Sequence, residues 1–490
     1  MGCDTTRSAD RKVDARVKYK EYADDIARLI YGGELAPGQR LPSVRELGAQ
    51  RGLSPVTVLK AYHRLEARGL IVARPRSGFF VAQRVPAPLP QPQPSRPVAR
   101  ATPVHKGDFI HDILYASKTP EVIPLGSAFP SPTLFPMARL ARSMNRAMKR
   151  LDPWRAVTDL TPGSARLRQQ LALRYQISGI ALDAQELIVT DGALEGLNLC
   201  LQAVTRPGDS VVIESPTFYA ALQTIQRLGL RALEVATDPA GGVDLQALEN
   251  VLQRQQPAAC WLMTNFQNPT GACMSDANKQ ALVRLLAAHN VPLIEDDVYG
   301  EIYFDGHRPR PAKAFDREGG VLHCSSFSKC LAPGYRVGWA AAGRYADVVQ
   351  QLKLGTTLST ALPPQVALED YLDEADYDRH LKTFRAALQD GRDALLEAVR
   401  DFFPEGTRVT VPQGGYFAWL ELPRTVDTLV LHQRALAHNI SVAPGAIFCA
   451  REDFSHALRL NYGHPEDRRI NRALKWLGQQ AAELAGTQAA

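Results

Sequence analysis

One lysine in this sequence, Lys329, lies in a setting that could make its amine a nucleophile toward a carbonyl carbon. The apolar run at residues 321–324 predicts a buried strand ending just before it, and Arg336 follows seven residues later, beyond a Pro-Gly turn. An amine attacks an aldehyde only when it is neutral, and burial near another cation favours that form. Arg336 could be that cation, or it could hold a phosphate dianion together with the hydroxyl groups of Ser326 and Ser328. The pattern predicts a site for an aldehyde that carries a phosphate.

Two motifs upstream make this prediction more specific. The sequence Asn-Phe-Gln-Asn-Pro-Thr-Gly at residues 265–271 closes one apolar run, and Asp296 and Tyr299 follow the next. A carboxylate at Asp296 facing a pyridine nitrogen would keep the ring protonated and able to withdraw electrons from a substrate carbanion. Asn268 and Tyr299 could donate hydrogen bonds to a ring phenolate oxygen. Pyridoxal phosphate fits this description, although Asp296 taken alone would serve equally well as a helix N-cap.

The order of these motifs resembles that of the fold-type I aminotransferases. The resemblance implies an α/β domain with a mostly parallel sheet and a smaller α/β lobe, and the alternation of helical and strand patterns also favours such a sheet, covered on both faces. It places the turn at residues 125–130 over the substrate. It also implies that the backbone N–H groups of Gly192, Ala193 and Leu194 donate to the phosphate. An aromatic residue would stack on the ring, either Phe218 or, as the alternative, Tyr219. Arg459 would bind the substrate α-carboxylate through two parallel hydrogen bonds.

Charge is distributed unevenly along the chain. Its 490 residues allow two or more domains. Residues 1–84 contain 16 Lys and Arg against 9 Asp and Glu, a net charge of +7, which leaves −1 of the total of +6 for the remaining residues. A small basic module indicates an anionic partner such as nucleic acid, although a solvated basic face would give the same count.

Other sequence signals narrow the cellular setting. The seven cysteines are scattered, and we interpret them as reduced core residues that form neither a metal site nor a disulfide framework. The sequence has no apolar run long enough to cross a bilayer and no signal-peptide pattern at its N-terminus. We therefore expect a cytoplasmic protein that does not contact membranes.

The basic module has the pattern of a helix-turn-helix. Apolar periodicity predicts a helix at residues 19–31, and Ser43 with Glu46 forms a capping box that opens a second helix. Ser54 caps a third helix at residues 55–68. This third helix should pack against the rest of the module through one face, which carries Val58, Tyr62 and Leu65. Its opposite face is polar and basic, carries Thr57, Lys60 and Arg64, and should face a DNA major groove.

A short hairpin completes the module. Residues 70–73 and 79–81 predict two strands, with Arg74 and Arg76 in the turn between them. Residues 16–82 as a whole resemble a GntR-type winged helix. The resemblance implies contacts with double-stranded operator DNA, although a single exposed helix charge is more commonly just a solvated one. The residues it places at the DNA are Arg45, Ser54, Thr57, Lys60 and Gly78.

The complete chain resembles the MocR-type transcriptional regulators. We assign residues 16–84 to the winged helix, residues 85–105 to a proline-rich linker and residues 106–490 to the aminotransferase-like domain. The resemblance implies a homodimeric regulator that binds pyridoxal phosphate and senses an amino compound or the cofactor itself. The alternatives are an active aminotransferase that transfers an amino group from an amino acid to a 2-oxo acid, and a scaffold without cofactor, which would require a degraded site.

Overall fold

The structure is a computed structural model. It describes Tyr19 and residues 22–67, 69–74, 77–82, 89–106, 109–111, 113, 121–304, 306–374, 376–451, 454–465 and 467–487. The chain divides into two compact units, Met1–Leu89 and Pro90–Ala490, called here the small and the large unit. Arg68 and Arg76 lie outside the described residues.

The small unit follows the predicted order of helices and strands. Its elements are α1 at residues 22–31, α2 at Val44–Arg51, α3 at Pro55–Ala67, β1 at Ile71–Arg74 and β2 at Gly78–Val81. The two strands pair antiparallel, from Ile71 opposite Val81 to Arg74 opposite Gly78.

Local chemistry explains the limits of α2 and α3. Ser43 Oγ accepts the N–H of Glu46 at 3.2 Å, and Glu46 Oε2 accepts the N–H of Ser43 at 2.8 Å, which confirms the capping box. Gly52 ends α2 in the left-handed region, at φ +62°. Ser54 Oγ accepts the N–H of Thr57 at 3.2 Å at the start of α3. The core of the unit joins all its elements and includes Ile26, Ile30, Leu47, Val58, Tyr62, Leu65, Leu70 and Val81.

A mixed, mostly parallel sheet organises the large unit. Its strands follow the order β3-β6-β5-β8-β9-β10-β11-β4, with β7 paired to β6. Strands β5, β6, β8, β9 and β10 pair parallel, and β4 runs with them because it is antiparallel to β11, which is antiparallel to β10. The bounds are Thr102–Pro103 (β3), Leu187–Thr190 (β4), Ser210–Ser215 (β5), Arg231–Asp238 (β6), Gly242–Val243 (β7), Ala259–Leu262 (β8), Leu293–Asp296 (β9), Val321–Ser326 (β10) and Gly338–Ala341 (β11).

Helices cover this sheet on both faces. Successive side chains of a strand point to opposite faces, and in β10 Cys324 contacts Cys200 of one helix while His323 contacts Tyr175 of another. The helices of the large unit that precede its smaller lobe, including those that do not contact the sheet, are Met137–Arg150 (α4), Arg155–Thr158 (α5), Ala165–Ile177 (α6), Ala193–Val204 (α7), Tyr219–Arg227 (α8), Leu245–Gln255 (α9), Asp276–Ala288 (α10), Ala346–Thr356 (α11), Leu362–Asp373 (α12) and Asp376–Phe402 (α13).

A smaller lobe follows in the sequence. It has an antiparallel sheet in the order β12-β13-β15-β14. The bounds are Arg408–Val409 (β12), Phe417–Glu421 (β13), Thr428–Ala437 (α14), Ala443–Pro444 (β14), Ala457–Asn461 (β15) and Arg469–Thr487 (α15). None of the helices in the described ranges is long and apolar enough to span a bilayer.

The proline-rich segment is packed where the structure describes it. From Pro90 onward it is joined to the large unit, with the Pro90 carbonyl accepting the N–H of Val409 at 2.9 Å. Ser95 exchanges two hydrogen bonds with Thr237, at 3.0 and 2.9 Å. Thr102 then pairs with Ala232 in the edge strand β3. Residues 90–101 therefore lie extended on the large unit, and we call them the 90–101 segment.

Candidate cofactor site and nucleic-acid face

The predicted chemical residues converge at one edge of the large sheet. Asp296 ends β9, and Lys329 comes shortly after the end of β10. Asn268 follows β8, and Phe218 follows β5. The carboxyl ends of neighbouring parallel strands lie side by side, so short connections from several strands bring these residues together.

Lys329 lies in a surrounding that favours its neutral form. Its Nζ donates a hydrogen bond to the carbonyl oxygen of Ala128 at 2.9 Å and lies 3.8 Å from the centre of the Phe129 ring. Burial, together with the positive charges of Arg459 and Arg336, lowers the pKa of Lys329 to about 7. A large fraction of the amine is therefore neutral near physiological pH, as a nucleophile toward an aldehyde must be.

Arg336 and the start of α7 form a cradle suited to a phosphate. Arg336 donates from Nη1 to Ser328 Oγ at 3.1 Å and from Nη2 to the carbonyl of Asp191 at 3.0 Å, while Ser326 Oγ accepts the N–H of Ser328 at 3.3 Å. Gly192 caps α7 at φ +78°, and a Cβ atom there would overlap with Arg336 Nη2. Only glycine leaves room for this approach. The helix N-terminus and the guanidinium together favour an anion.

Asp296 has the free oxygen that a pyridinium ring requires. It is buried, and one carboxylate oxygen accepts the N–H of Val298, but Oδ1 has no hydrogen-bond partner among the described residues. Burial and the neighbouring charge of Asp297 raise the pKa of Asp296 to about 7. A buried, unpaired carboxylate oxygen is unfavourable, and a pyridinium N–H would pair with it.

Arg459 is fully buried in β15, and side-chain and backbone oxygens accept hydrogen bonds from its two terminal nitrogens. It donates from Nη1 to Asn268 Oδ1 at 3.0 Å, and from Nη2 to the carbonyls of Gly126 at 2.7 Å and Ser127 at 3.2 Å. Burial lowers the pKa of Arg459 from its ordinary value. A carboxylate can accept two parallel N–H bonds from a guanidinium. Arg459 can therefore bind a carboxylate in place of these carbonyls.

Residues 126–129, called here the 126–129 loop, contact two of the cations of the site, Lys329 and Arg459. The loop carbonyls accept hydrogen bonds from Arg459 and Lys329, and Tyr416 donates its hydroxyl to the Ala128 carbonyl at 3.2 Å. Asn461 Nδ2 donates to the carbonyls of Ser127 and Phe129 at 3.0 and 2.7 Å. The sequence predicts a turn here. It does not predict that Tyr416, Asn461 and Phe129 contact the loop or Lys329, because each is an ordinary residue for a strand or a turn.

Tyr299 lies in an aromatic cluster beside the loop. Its ring is edge-on to Tyr416 and Phe417, with centres 5.3 and 5.7 Å apart, and its hydroxyl pairs with that of Tyr416. Burial raises the pKa of Tyr299, so the phenol keeps its proton and can act as a donor.

The remaining predicted residues lie at two helix starts. Ala193 and Leu194 open α7, with Ala193 buried and the Leu194 side chain 43% exposed, so Leu194 can offer its backbone N–H to the cradle but no polar side chain. Phe218 precedes α8, half-buried, with its ring 4.8 Å from that of Tyr219. Tyr219 is the more buried of the two and packs on Phe448 at 5.9 Å, which leaves Phe218 more accessible for stacking.

A buried hydrogen-bond chain behind Asp296 was not predicted. His323 Nδ1 lies 3.0 Å from Glu295 Oε2, and its Nε2 lies 2.7 Å from the hydroxyl of Tyr175, which also accepts Trp339 Nε1 at 2.8 Å. Burial alone would raise the pKa of Glu295, but the hydrogen bond with His323 and the charge of that imidazole hold it below its ordinary range. This chain of hydrogen bonds links β9, β10 and β11 to α6 and holds β9, the strand that carries Asp296, in place.

On the small unit, α3 exposes a mixed face rather than the purely polar one expected. Lys60 is exposed, together with Val56 at 63% and Leu59 at 39%. The expectation that Thr57 lies on this face is wrong, because its side chain is only 4% exposed and its hydroxyl lies 2.8 Å from Ser54 Oγ. Thr57 thus belongs to the turn that caps the helix.

The other residues predicted at the DNA lie around α2 and the hairpin. Arg45 is exposed on α2, and Ser54 is exposed at the start of α3. Gly78 opens β2 at φ +97°, a conformation that favours glycine. In the hairpin, the Arg74 guanidinium lies 4.4 Å from the centre of the Phe80 ring.

Comparison with known proteins identifies both units. The family described as bacterial regulatory proteins, gntR family, matches residues 18–81, and aminotransferase class I and II matches residues 125–477. The uncharacterized HTH-type transcriptional regulator YdcR of Escherichia coli (strain K12) is 47% identical, over 95% of this chain and 99% of its own. The regulator YjiR of the same strain is 36% identical, over 94% and 98%. The chain therefore belongs to the MocR-type regulators, in which a GntR domain is joined to an aminotransferase domain.

A solved structure gives the same fold for the large unit. LysN, the α-aminoadipate aminotransferase of Thermus thermophilus, was crystallised with N-(5'-phosphopyridoxyl)-L-leucine and aligns with a TM-score of 0.70 at 30% identity, over 78% of this chain and 98% of its own. The fold class and the DNA-binding domain predicted from the sequence are confirmed. The residues also fit pyridoxal phosphate, through the unpaired Asp296 oxygen, the Arg336 cradle and the Lys329 amine, and this cofactor prediction is confirmed. The roles of individual residues remain predictions.

We expect Lys60→Ala to weaken binding to DNA without unfolding the small unit. The side chain is exposed, so its loss leaves no cavity, while one phosphate contact fewer should lower the slope of affinity against salt by about one. Fluorescence anisotropy with the DNA that lies upstream of the gene for this protein, at several salt concentrations, measures both effects. Arg28→Ala, which removes an exposed arginine of α1, is the control. A Lys60→Ala protein with the slope of the unmodified protein would contradict α3 as the reading helix.

Proposed function

We propose that this chain is a cytoplasmic, homodimeric transcription regulator in which an amino compound, bound through pyridoxal phosphate at Lys329, changes the affinity of the winged helices for operator DNA. The observation that carries the proposal is the complete set of Lys329, Asp296 and Arg336 in one pocket of a chain that also carries a GntR domain. When bound, the cofactor supplies an aldehyde that reacts with amines and a ring that withdraws electrons.

Different residues of this chain would bind the phosphate, the ring nitrogen and the ligand carboxylate. Arg336, Ser326, Ser328 and the α7 amides would hold the phosphate, and Asp296 would pair with the ring nitrogen. Lys329 would give up its place to the amino group of the ligand. Arg459 would bind a ligand carboxylate in place of the loop carbonyls.

The link to DNA requires two arrangements of the dimer. A ligand shifts an equilibrium only through its different affinity for the two states, and such coupling is typically about 1–3 kcal/mol. Exchange of the 126–129 loop contacts for ligand contacts would supply a difference of this kind, since the loop joins the cofactor pocket to the small lobe through Asn461 and Tyr416.

An exposed apolar surface supports the homodimer. Trp154, just before α5, and Val157, within α5, are 73% and 62% exposed, and Leu354 and Leu358, in and after α11, are 51% and 52% exposed. The chain just after α5 contacts the chain just after α11, because Thr161 donates its hydroxyl to the Leu358 carbonyl. Clustered exposed apolar side chains of this size are typical of subunit interfaces, and a second copy is the simplest cover in a two-fold assembly.

Transamination is the second candidate function, and the Lys329 amine favours it. Its pKa of about 7 would suit proton transfer at neutral pH, as a catalytic base on the substrate α-carbon requires. A sensor could leave that proton transfer and the release of a keto acid slow.

One sample can separate the two functions. The full chain, loaded with cofactor, is titrated with amino acids and amines while its visible absorbance, its binding to the upstream DNA and keto-acid release are followed. We expect a spectral change and a change in DNA affinity at the same ligand concentration, with keto-acid release far below the ~10 s⁻¹ typical of enzymes. Sedimentation of the same sample tests the dimer. Rapid multiple turnover with constant DNA affinity would favour the aminotransferase.

A further inference from the structure

A second cavity lies under the 90–101 segment, apart from the cofactor pocket. Its volume is about 770 Å³, within the range of small-molecule sites. Residues 93–97 form one wall, and the end of β5, the sheet of the small lobe and the turn before β15 form the others. Neither Lys329, Arg336 nor Arg459 lines it.

The cavity is strongly basic. Arg96, Arg408 and Arg424 line it, and Glu421 is the one carboxylate among the described residues of its lining. Counting three positive charges and one negative charge gives a net +2. No ion pair within the described residues joins any of the three arginines to a carboxylate. The polar groups of Ser95, Ser215 and His456 complete the wall and can donate or accept hydrogen bonds.

The net positive charge of the cavity wall favours an anionic ligand. Guanidinium groups bind carboxylates and phosphates through paired N–H donors, and a ligand with two negative charges would balance the excess of the wall. A phosphate monoester and a dicarboxylate share this chemistry. The cavity has room for either with its carbon skeleton.

The cavity lies between three parts of the large unit: the 90–101 segment, β12 and the end of β5. The 90–101 segment closes it through the Ser95–Thr237 hydrogen bonds, and the Pro90 carbonyl ties the same segment to β12, which carries Arg408. Ser215 lines its floor and lies three residues before Phe218, the predicted ring-stacking residue. The 90–101 segment is also the part of the chain that leads toward the winged helix in the sequence.

We propose that this cavity is a second ligand site, which binds a small dianionic metabolite and thereby fixes the 90–101 segment against the small lobe. The bound anion is held by Arg408 and Arg424 from the small lobe and by Arg96 from the segment, so it bridges the two. Occupancy controls how freely this segment moves. The site does not rest on the sensing function proposed above.

The test uses the full chain saturated with pyridoxal phosphate, so that added anions do not fill the cofactor cradle. Inorganic phosphate and succinate are titrated separately by calorimetry, and the stronger of the two identifies the phosphate or the carboxylate class. We expect binding at millimolar concentration or better. The double variant Arg408→Ala/Arg424→Ala should bind roughly tenfold or more weakly, since two charge-assisted contacts are lost. Arg254→Ala, an exposed arginine on α9 outside the cavity, should bind normally.

Hydrogen exchange supplies a second readout that a nonspecific ion would not give. The amides of Ser95 and Thr237 should exchange more slowly when the stronger anion is present, and they should not respond in the double variant. If neither anion binds at 10 mM, or if the double variant binds as well as the Arg254→Ala protein, the site does not exist. Thermal unfolding confirms that each variant is folded; if the double variant unfolds, Arg424→Ala alone, at an exposed position, decides by the same criterion.

Discussion

Replacing Lys329 with alanine is expected to abolish covalent attachment of pyridoxal phosphate and the response of DNA binding to amines, while basal DNA binding persists. The amine of Lys329 is the predicted nucleophile, with a pKa lowered to about 7, and no other described lysine has its amine at the 126–129 loop carbonyls. Basal binding persists because the small unit has its own core. Treatment with borohydride followed by peptide mass analysis should find the reduced cofactor on Lys329 only.

A matched control separates this effect from loss of the fold. Lys382→Ala removes an exposed lysine of α13 and should retain the adduct, the visible absorbance and the ligand response. If Lys329→Ala still yields a borohydride-stable adduct, the nucleophile is another residue. A variant that loses basal DNA binding although its thermal unfolding is unchanged would show that the two units are not separable in function.

Arg459→Gln is expected to weaken binding of amino acids by roughly 100-fold, about 2.7 kcal/mol, while leaving binding of simple amines nearly unchanged. The guanidinium is fully buried and directs two donors toward the place where a carboxylate would lie. An amine without a carboxylate has no group for these donors. Absorbance titrations with an amino acid and with its decarboxylated amine measure the difference in both proteins.

The same substitution should change the titration of Lys329, which provides an internal control. Arg459 is one of the charges that lower the pKa of Lys329, so its neutralisation should raise that pKa. Because only the neutral amine captures the cofactor, the capture rate in protein stripped of cofactor should rise with pH through about 7 in the unmodified protein and through a higher pH in the variant. An unshifted profile with normal binding of amino acids would contradict the role given to Arg459.

Much of this site could be predicted because its chemistry restricts residue types. A nucleophilic lysine, a carboxylate for a ring nitrogen and an arginine for a phosphate leave few substitutes, and Lys329, Asp296 and Arg336 are brought together by the sheet. Capping is equally local, so Ser43 and Glu46 could be identified from a spacing of three.

Other features depend on contacts that spacing does not encode. Thr57 lies at the border between the two faces of α3, and its hydroxyl turns back to Ser54, which a helical wheel cannot show. The 126–129 loop acts through backbone carbonyls, which carry no residue identity. The composition of the 90–101 segment indicated an extended chain, but its bonds to Thr237 and Val409 join residues more than 100 positions apart in the sequence.

On the proposed sensing function, the 126–129 loop would give the protein a concentration threshold. Its carbonyls would act as an internal competitor, since those of Gly126 and Ser127 already accept hydrogen bonds from Arg459, where an amino acid carboxylate would bind, and that of Ala128 accepts one from Lys329. The apparent dissociation constant of a ligand rises in inverse proportion to the fraction of molecules in which those donors are free. Scarce amino compounds would thus go undetected, and changes at Tyr416 or Asn461, which hold the loop, would retune the threshold without touching the ligand.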